Sequence, residues 1–266
     1  MALNKQTNLL KNILSSIHNT IIVGKVLFDF ESLPSTNTYA IELLTTGQPV
    51  EGTVINAHHQ TSGRGQMGTQ WEASPGLNLT LSVILRPGFL AVQDQFYLNK
   101  AVSLAVYQLV ECYFTGQTKI KWPNDIYIKD RKVGGILIQN GVQGTSLQWS
   151  VLGLGLNINQ GDFPDTLFNA TSFFKESGEL WDLHKIRSQL FRSLDSYYAE
   201  LKRSANFLDG QYVQALYRRE MPTTFTLPSG ESFVGSIQDV DGLGRLKVSD
   251  QSNKIRLFNL KEIKYQ

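Results

Sequence analysis

A glycine-rich loop with a single arginine, residues 63–71 (GRGQMGTQW), constrains the fold of this chain most strongly. The stretches on either side of it, 53–59 and 78–85, have the short β-branched or alternating patterns typical of strands. A dinucleotide-binding glycine loop needs a helix directly after the turn, because the helix N-terminus receives the pyrophosphate. Pro75 and Gly76 follow this loop instead. We therefore predict a loop that joins two strands, and no Rossmann site.

Three other interpretations of this loop are a kinase-type glycine loop, an ordinary hairpin loop and an anion-binding loop centred on Arg64. A kinase-type glycine loop also lies between strands, but the catalytic-loop and metal-binding motifs that should follow it are absent. An ordinary long hairpin loop remains an alternative. A guanidinium between two glycines favours anion binding, because its five donors and the backbone N–H groups can converge on one anion. We expect such a loop to be mobile when it is empty.

The overall composition argues against several classes of function. Lys and Arg number 25 against 23 acidic residues, so a net charge of +2 gives no electrostatic reason to expect nucleic acid as the main partner. The sequence contains no signal-peptide core and no apolar run long enough for a membrane span. Cys112 is the lone cysteine, and its apolar helical surroundings predict a buried structural thiol. We expect a cytoplasmic protein with no membrane partner.

The spacing of apolar residues predicts the order of helices and strands. Helices are predicted at 9–17, at 96–114 after an Asp94 cap, from 183 to 201 after an Asp182 cap, and at 207–219. Short strands are predicted at 119–122, 126–128, 133–139 and 147–157, followed by a long irregular stretch at 160–181.

Beyond residue 220 the hydrophobic period changes to two. Strands are predicted there at 224–227, 232–240, 245–248 and 254–260, separated by turn residues. This pattern predicts a small β-barrel of SH3-like size. The chain is therefore predicted to contain two domains, 1–219 and 220–266.

Lys121 is a candidate for chemistry outside the loop. It precedes Trp122 and Pro123, and period-two alternation places Lys119, Lys121 and Pro123 on one face of a strand. A strand with solvated lysines is one interpretation. The other is that Lys121 is a fixed positive charge, which stabilises the negative charge that develops as a phosphate is displaced.

Two glycine pairs in strand patterns form another candidate site. Gly134 with Gly135 and Gly153 with Gly155 interrupt apolar stretches, and glycine there weakens a strand unless a ligand or another backbone comes close. Two neighbouring strands without side chains suggest a floor on which a flat ring rests. Asn157 would then read an adenine edge with its amide, although Asn is also common in turns.

Six motifs, in this order and at these spacings, closely resemble those of biotin protein ligases. They are Ser35-Thr36-Asn37, Gln60, GRGQMGTQW, KWPND, KVGGIL and GLGLNIN, and the resemblance covers roughly residues 28–266. It implies an α+β catalytic domain related to class II aminoacyl-tRNA synthetases, followed by an SH3-like domain. It also implies that biotin is activated with ATP and Mg²⁺ to biotinyl-5'-AMP, and is then transferred to a lysine of a biotin carboxyl carrier protein or domain.

The resemblance also implies roles for individual residues. Lys121 and Arg64 are predicted to be catalytic, with Lys121 near the biotin carboxylate and the α-phosphate. The predicted biotin contacts are Ser35, Thr36, Asn37, Gln60, Gly63, Arg64, Gly65, Gln66, Lys121 and Gly134. The predicted contacts to ATP or the adenylate are Trp71, Asn124, Gly135, Gly153 and Asn157. The ligands of the Mg²⁺ ion stay unassigned.

The sequence departs from the better-known family pattern in two respects. Gln66 and Thr69 stand where many members have arginines, so a weaker grip on the adenylate is expected. The DNA-binding domain of the bifunctional repressor-ligases has no counterpart, and we expect no binding to an operator. A monomer or a homodimer fits the resemblance equally well. A lipoate ligase, which also adenylates a carboxylate, and a non-catalytic biotin sensor remain the alternatives.

Overall fold

The computed structural model describes residues 20–266, and the helix predicted at 9–17 lies outside the described residues. Most of the fold is built on a seven-stranded sheet. Its strands are β1 (Leu27–Leu33), β2 (Val54–Gln60), β3 (Leu79–Leu85), β4 (Thr118–Lys121), β5 (Asp125–Ile128), β6 (Arg131–Gln143) and β7 (Ser146–Leu156). The spatial order is β1-β2-β3-β7-β6-β5-β4, with β1 and β2 parallel and the other neighbours antiparallel. The glycine-rich loop joins β2 to β3, as predicted.

Helices cover both faces of this sheet. They are α1 (Thr36–Thr46), α2 (Gln95–Glu111), α3 (Phe173–Ser177), α4 (Leu183–Arg203) and α5 (Phe207–Gln214). On one face, Ala40 of α1 packs with Ile55, Ile84 and Val151 of the sheet. On the other face, α2 and α4 pack together over the larger core. None of the helices in the described part of the chain is long and apolar enough to cross a membrane.

The start of α4 confirms the predicted Asp182 cap. The Asp182 carboxylate accepts hydrogen bonds from the backbone N–H groups of His184 and Lys185, at 2.8 and 3.2 Å. Asp94 also precedes α2 as predicted, but its side chain makes no capping hydrogen bond. The predicted helix at 207–219 ends earlier, at Gln214.

The prediction of a buried Cys112 is wrong, because this cysteine is exposed. It follows directly after the last residue of α2, whose buried face includes Leu109 and Val110. Cys112 is three positions beyond the buried Leu109, so helical spacing alone places it near the buried face. It lies at the C-cap, where the helix ends, and apolar spacing does not reveal its exposure.

The stretch 160–181 is more ordered than predicted. It contains a 3₁₀ turn at Asp165–Leu167 and the short helix α3. Ser172 caps α3 by accepting a hydrogen bond from the backbone N–H of Lys175 at 3.0 Å, and Gly178 ends it with a φ of 77°. A helix of five residues is too short to display a helical period, so apolar spacing could not reveal it.

The C-terminal residues form a second, five-stranded sheet. Its strands are β8 (Thr223–Thr226), β9 (Ser232–Val240), β10 (Leu246–Asp250), β11 (Ile255–Phe258) and β12 (Lys264–Tyr265). The order β11-β10-β9-β8-β12 with antiparallel pairing is consistent with an SH3-like domain. Trp122 joins this sheet to the larger one, since its Nε1 donates to the carbonyl oxygen of Gly244 at 2.9 Å.

Candidate functional site

A cavity of about 300 Å³ lies over the sheet beside the N-terminus of α1. The start of α1, the glycine-rich loop and the middle of β6 and β7 line it, together with a turn of the C-terminal sheet. The lining includes most of the residues that the sequence predicts for the site: Ser35, Thr36, Asn37, Gln60, Arg64, Gly65, Gln66, Trp71, Gly135 and Gly153. Residues from distant parts of the chain therefore meet in one concave site, the usual form of a small-molecule site.

A buried polar network forms one end of the cavity. The backbone N–H and hydroxyl of Thr36 donate to Oε1 of Gln60, at 2.7 and 3.1 Å. The hydroxyl of Ser82 lies 2.8 Å from the Thr36 oxygen and 2.6 Å from Oδ1 of Asn37. Asn37 in turn donates through Nδ2 to Gln139 at 3.0 Å. Because these groups are uncharged and already oriented, they suit a neutral polar ligand group.

The glycines of the floor are required by close packing of the protein's own side chains. A Cβ on Gly153 would lie 2.3 Å from Oδ1 of Asn37. A Cβ on Gly155 would lie 2.3 Å from the indole ring of Trp71, and one on Gly135 would lie 3.2 Å from the same ring. Gly135 and Gly155 are paired across β6 and β7. The flat ring that rests on this floor in the structure is therefore Trp71.

The glycine-rich loop is closed by its own backbone hydrogen bonds. Gly65 N–H donates to the carbonyl oxygen of Thr69 at 2.7 Å, and Trp71 N–H donates to that of Gly63 at 3.0 Å. A Cβ on Gly63 would lie 2.3 Å from the Trp71 carbonyl oxygen, so this glycine is needed for the close backbone approach. Arg64 is exposed at the cavity and takes part in no ion pair within residues 20–266.

Trp71 presents an unused donor beside the loop. Its Nε1 is buried and has no hydrogen-bond partner among the described residues. A buried N–H group without a partner is uncommon in folded proteins and calls for an explanation. An acceptor atom on a bound ligand would supply the missing partner.

Lys132 and Asp125 place an ion pair in the cavity. Lys132 Nζ lies 2.7 Å from Oδ1 of Asp125 and 5.9 Å from the centroid of the Trp71 ring. Both side chains are about one-third exposed, so they are accessible from the cavity. Asp125 is the one carboxylate among the described residues that line this site. The pair can therefore offer both a cation and an oxygen ligand to a charged substrate.

Sequence reasoning missed Lys132 because a β-bulge reverses the alternation. Strict period two places Lys132 and Gly135 on opposite faces of β6. In the structure Tyr127 pairs with Lys132 while the preceding residue of β5 pairs with Gly134, so Val133 is an extra residue. As a result Lys132 Nζ would lie 3.3 Å from a Cβ on Gly135. Gly134 and Gly135 follow Val133 directly, and because glycines inside a strand pattern often mark a bulge, they are the signal that could have revealed it.

Lys121 does not line the cavity. Its Nζ lies 5.2 Å from the centroid of the Tyr127 ring and 4.9 Å from that of Tyr265, and it donates to the Tyr127 hydroxyl at 3.3 Å. The lysine is thus held where β4 meets the last strand of the C-terminal sheet. Burial is the main cause that lowers the pKa of Lys121, partly opposed by the negative charge of Asp125.

Four other predicted site residues also lie outside the lining. Asn124 is buried and donates to the carbonyl oxygen of Ile136 at 2.6 Å, while Asn157 donates to that of Thr171 at 3.0 Å. Gly134 faces the side chain of Leu156, on the opposite side of β6 from the cavity. Gly63 is the first residue of the loop and lies against the backbone of Trp71. These residues support the walls of the site and do not face into it.

Known proteins with related sequences establish the family. Residues 30–157 match the biotin/lipoate A/B protein ligase family. The chain is 31% identical over 216 residues to the biotin–[acetyl-CoA-carboxylase] ligase of Mycobacterium tuberculosis, and this match covers 80% of the chain and 79% of that protein. The chain belongs to the biotin/lipoate A/B protein ligase family.

Other members of the biotin/lipoate ligase family match parts or most of the chain. The bifunctional ligase/repressor BirA of Bacillus subtilis is 35% identical over 184 residues, which are 68% of this chain and 56% of that protein. The chain therefore spans little more than half the length of that relative. The biotin protein ligase of Aquifex aeolicus, solved in complex with biotin and ATP, superposes with a TM-score of 0.74 at 21% identity. That superposition covers 90% of this chain and 98% of the other, and it shows the shared fold.

Proposed function

We propose that this chain is a biotin protein ligase, which forms biotinyl-5'-AMP from biotin and ATP and transfers biotin to a lysine of a carrier protein. The observation that carries the proposal is the cavity itself. It joins an uncharged polar network at the start of α1 to cations that include Arg64 and Lys132, in a chain of the biotin/lipoate ligase family. A small acid with a neutral polar ring and a phosphate-bearing cosubstrate would match these two ends.

The uncharged end of the cavity suits the cyclic urea of biotin. A urea has one carbonyl acceptor and two N–H donors, and it carries no charge. Hydroxyl groups such as that of Ser35 and side-chain amides such as that of Asn37 can supply both kinds of partner. Leu137 and the Trp71 ring, which also line the cavity, suit the apolar parts of the ligand.

The charged end suits the activation of a carboxylate. In the first step a biotin carboxylate oxygen attacks the α-phosphorus of ATP, the bond from that phosphorus to the bridging oxygen breaks, and pyrophosphate leaves. Negative charge on the phosphoryl oxygens would be offset by Arg64 and Lys132. The sequence prediction gives this role to Lys121, but Lys132 is the one of these two lysines that lines the cavity. In the second step the amine of a carrier lysine attacks the mixed anhydride, and AMP leaves.

The donor set of the cavity is compatible with a Mg²⁺ ion that accompanies ATP. Mg²⁺ in nucleotide sites is commonly held by one or two carboxylates together with substrate phosphates. Asp125 supplies one such carboxylate at the cavity, and among the described residues no cluster of three or more His, Cys, Asp or Glu side chains forms a separate metal site. The ion would neutralise phosphate charge, and Asp125 would be its protein ligand.

The acceptor in this proposal is the biotin carrier domain of a carboxylase. Support comes from the relatives named biotin–[acetyl-CoA-carboxylase] ligase in Mycobacterium tuberculosis and Paracoccus denitrificans, which are 31% and 34% identical to the chain over the matched residues. We also propose that the protein acts in the cytoplasm, as a monomer or a homodimer. Nucleic acid is not a partner in this proposal.

Exchange of labelled pyrophosphate into ATP tests the first step directly. We expect exchange that depends on biotin and is absent with lipoate or with no acid, followed by addition of biotin to a purified carrier domain, detected by mass spectrometry. Exchange with lipoate alone would identify a lipoate ligase. Tight binding of biotin with no exchange would identify a sensor and would overturn the proposed activity.

A further inference from the structure

One cation of the cavity comes from the C-terminal sheet. Lys261 and its neighbour Leu260, which lie between β11 and β12, line the cavity together with the glycine-rich loop. Leu260 and Gln66 also line an adjoining groove of about 410 Å³, so this turn and the loop face each other at the mouth of the site. The positively charged side chain is therefore brought to the cavity by an element that is distant in sequence.

The backbone holds Lys261 in an unusual conformation. Its φ is 70°, in the left-handed region that non-glycine residues seldom adopt. The turn is closed by a hydrogen bond from Glu262 N–H to the Asn259 carbonyl oxygen at 3.1 Å. The Glu262 carboxylate in turn accepts from the backbone N–H and side-chain amide of Asn259, at 2.7 and 3.1 Å. Local strain of this kind persists where surrounding contacts fix it, and it is found disproportionately at ligand sites.

The position of the turn is fixed by contacts between the two sheets. Trp122 donates to the carbonyl oxygen of Gly244 at 2.9 Å, and a Cβ on Gly244 would lie 2.3 Å from the ring of Phe96. Tyr265, four residues after Lys261, packs over Lys121 of the larger sheet. The turn is therefore presented by a docked sheet and not by a free tail.

Among the described residues, Lys261 adds an unpaired positive charge to a cavity whose other lysine, Lys132, is already ion-paired. Lys132 is ion-paired with Asp125, whereas neither Arg64 nor Lys261 makes an ion pair within residues 20–266. The loop from 63 to 71 carries Arg64 as its only charged residue before Glu72, so it supplies a single cation. A triphosphate carries several negative charges, and additional cations around it strengthen binding.

We propose that Lys261 is a phosphate-binding residue, which the C-terminal sheet contributes to the nucleotide end of the cavity. This inference rests on the proposed function for the identity of the nucleotide as ATP. Lys261 would bind ATP and help to retain the adenylate after pyrophosphate leaves. It would not contact biotin, whose uncharged end is assigned to the network beside α1. Docking of the C-terminal sheet would thereby become a condition for tight nucleotide binding.

Three variants of the full chain test this role. Lys261→Asn removes the charge and keeps a side chain that tolerates a positive φ. Lys261→Arg keeps the charge. Lys264→Gln is the matched control, because it removes one exposed charge from the same segment without altering the lining. Thermal unfolding of each variant establishes that the fold is intact.

The expected result is a selective loss of nucleotide binding. Lys261→Asn should raise the KM for ATP in pyrophosphate exchange and speed the release of biotinyl-5'-AMP by about tenfold each, as for the loss of one charged hydrogen bond. The dissociation constant for biotin without ATP should stay unchanged. Lys261→Arg and Lys264→Gln should both stay within about twofold of the wild type.

Two results would overturn the inference. One is a Lys261→Asn variant that matches Lys264→Gln in every constant. The other is an equal loss of biotin and ATP affinity, which would make the turn a support for the whole cavity. If the wild type shows no biotin-dependent exchange, the proposed activity fails separately, and calorimetric titration of ATP into the wild type and Lys261→Asn still tests the phosphate contact.

Discussion

Two lysines eleven residues apart have different surroundings: one is packed between aromatic rings, and the other forms an ion pair at the cavity. Lys121, in the KWPND motif, lies between the rings of Tyr127 and Tyr265 and does not line the cavity. Lys132, the first residue of the KVGGIL motif, pairs with Asp125 at the cavity. The lysine of KWPND therefore contacts the C-terminal sheet, whereas the lysine of KVGGIL and the aspartate of KWPND face the site.

This difference shows how strand geometry decides which side chain faces the cavity. Lys121 follows regular alternation along a strand of four residues, whereas the bulge at Val133 turns Lys132 toward Gly135. Bulges occur often beside active sites, where they bend the strand and re-aim a side chain. Substitutions of the two lysines measure whether they also differ in function.

The largest expected effect is that of Lys132→Met. Methionine keeps the length and apolar stem of the side chain but removes the charge beside Asp125. We expect biotin-dependent pyrophosphate exchange to fall by about a hundredfold or more, which corresponds to roughly 3 kcal/mol of lost stabilisation of the transition state. Saturating biotin and ATP should not restore the rate, because the loss lies in the chemical step.

Lys119→Met is the matched control for that experiment. Lys119 lies on β4, outside the cavity, and the substitution makes the same chemical change. Exchange within about twofold of the wild type is expected for this control. If Lys132→Met kept comparable activity, Lys132 would have no part in the reaction, and the contrast with Lys121 would disappear.

Gly155→Ala should cause the next largest loss of exchange, because it would displace the Trp71 ring that lies beside Lys132. The new methyl group would lie 2.3 Å from the indole ring and would displace it, and Lys132 Nζ lies 5.9 Å from the centroid of that ring. We expect exchange to fall by about tenfold and the free energy of unfolding to fall by about 1–3 kcal/mol. Kinetics and urea denaturation measure the two effects separately.

Gly88→Ala provides the control for an added methyl group, since its nearest neighbour would be 3.9 Å away. This variant should match the wild type in both measurements. Normal exchange in Gly155→Ala, together with a normal fold, would mean that the position of the Trp71 ring does not matter for the reaction.

The sequence predicted the parts of this molecule that local pattern controls. Apolar alternation located β2 and β3 on both sides of the loop, and the aspartate before α4 marked the start of that helix. The motifs also identified Arg64 and most of the lining. Helix α1 was not predicted, because its largely uncharged residues give no clear contrast between a polar and an apolar face.

Features set by tertiary contacts could not be read in the same way. The neighbours of β7 in the sheet are β3 and β6, and the pairing with β3 joins residues more than sixty positions apart. The bulge at Val133 depends on the pairing with β5, and the position of Lys261 depends on how the C-terminal sheet docks. Such arrangements are determined by packing and strand register, and no local period encodes them.

Lys121→Ala should affect stability more than catalysis. Its aliphatic stem and ammonium group pack against Tyr127 and Tyr265, so truncation leaves space between the two sheets. We expect the free energy of unfolding to fall by about 1–2 kcal/mol in urea denaturation, with exchange within about threefold of the wild type. Lys121→Met, which refills the space, should recover most of the lost stability.

The opposite outcome would restore the role that the sequence predicts for Lys121. A folded Lys121→Ala variant with a hundredfold loss of exchange, equal to that of Lys132→Met, would show that both lysines act on the phosphates. Exchange measured well below the unfolding temperature keeps this result independent of stability.

The smallest expected effect is a change of stability at alkaline pH. Burial lowers the pKa of Lys121 from its ordinary value of 10.5, so the folded state disfavours the protonated amine. Below the folded-state pKa the amine is protonated in both states, and the cost of burying its charge is fully present. Between that pKa and 10.5 the unfolded state binds more protons, and the stability of the wild type therefore rises with pH.

Comparison with Lys121→Met isolates this contribution. Burial also raises the pKa of Tyr127, which has the opposite effect on stability, but that tyrosine is present in both proteins. We expect the free energy of unfolding of the wild type to rise relative to that of the methionine variant as the pH approaches 10.5, measured by urea denaturation. A difference that stays constant, or one that shrinks, would show that the ammonium group of Lys121 is not desolvated. In that case the contacts with Tyr127 and Tyr265 would not explain the difference in environment between Lys121 and Lys132.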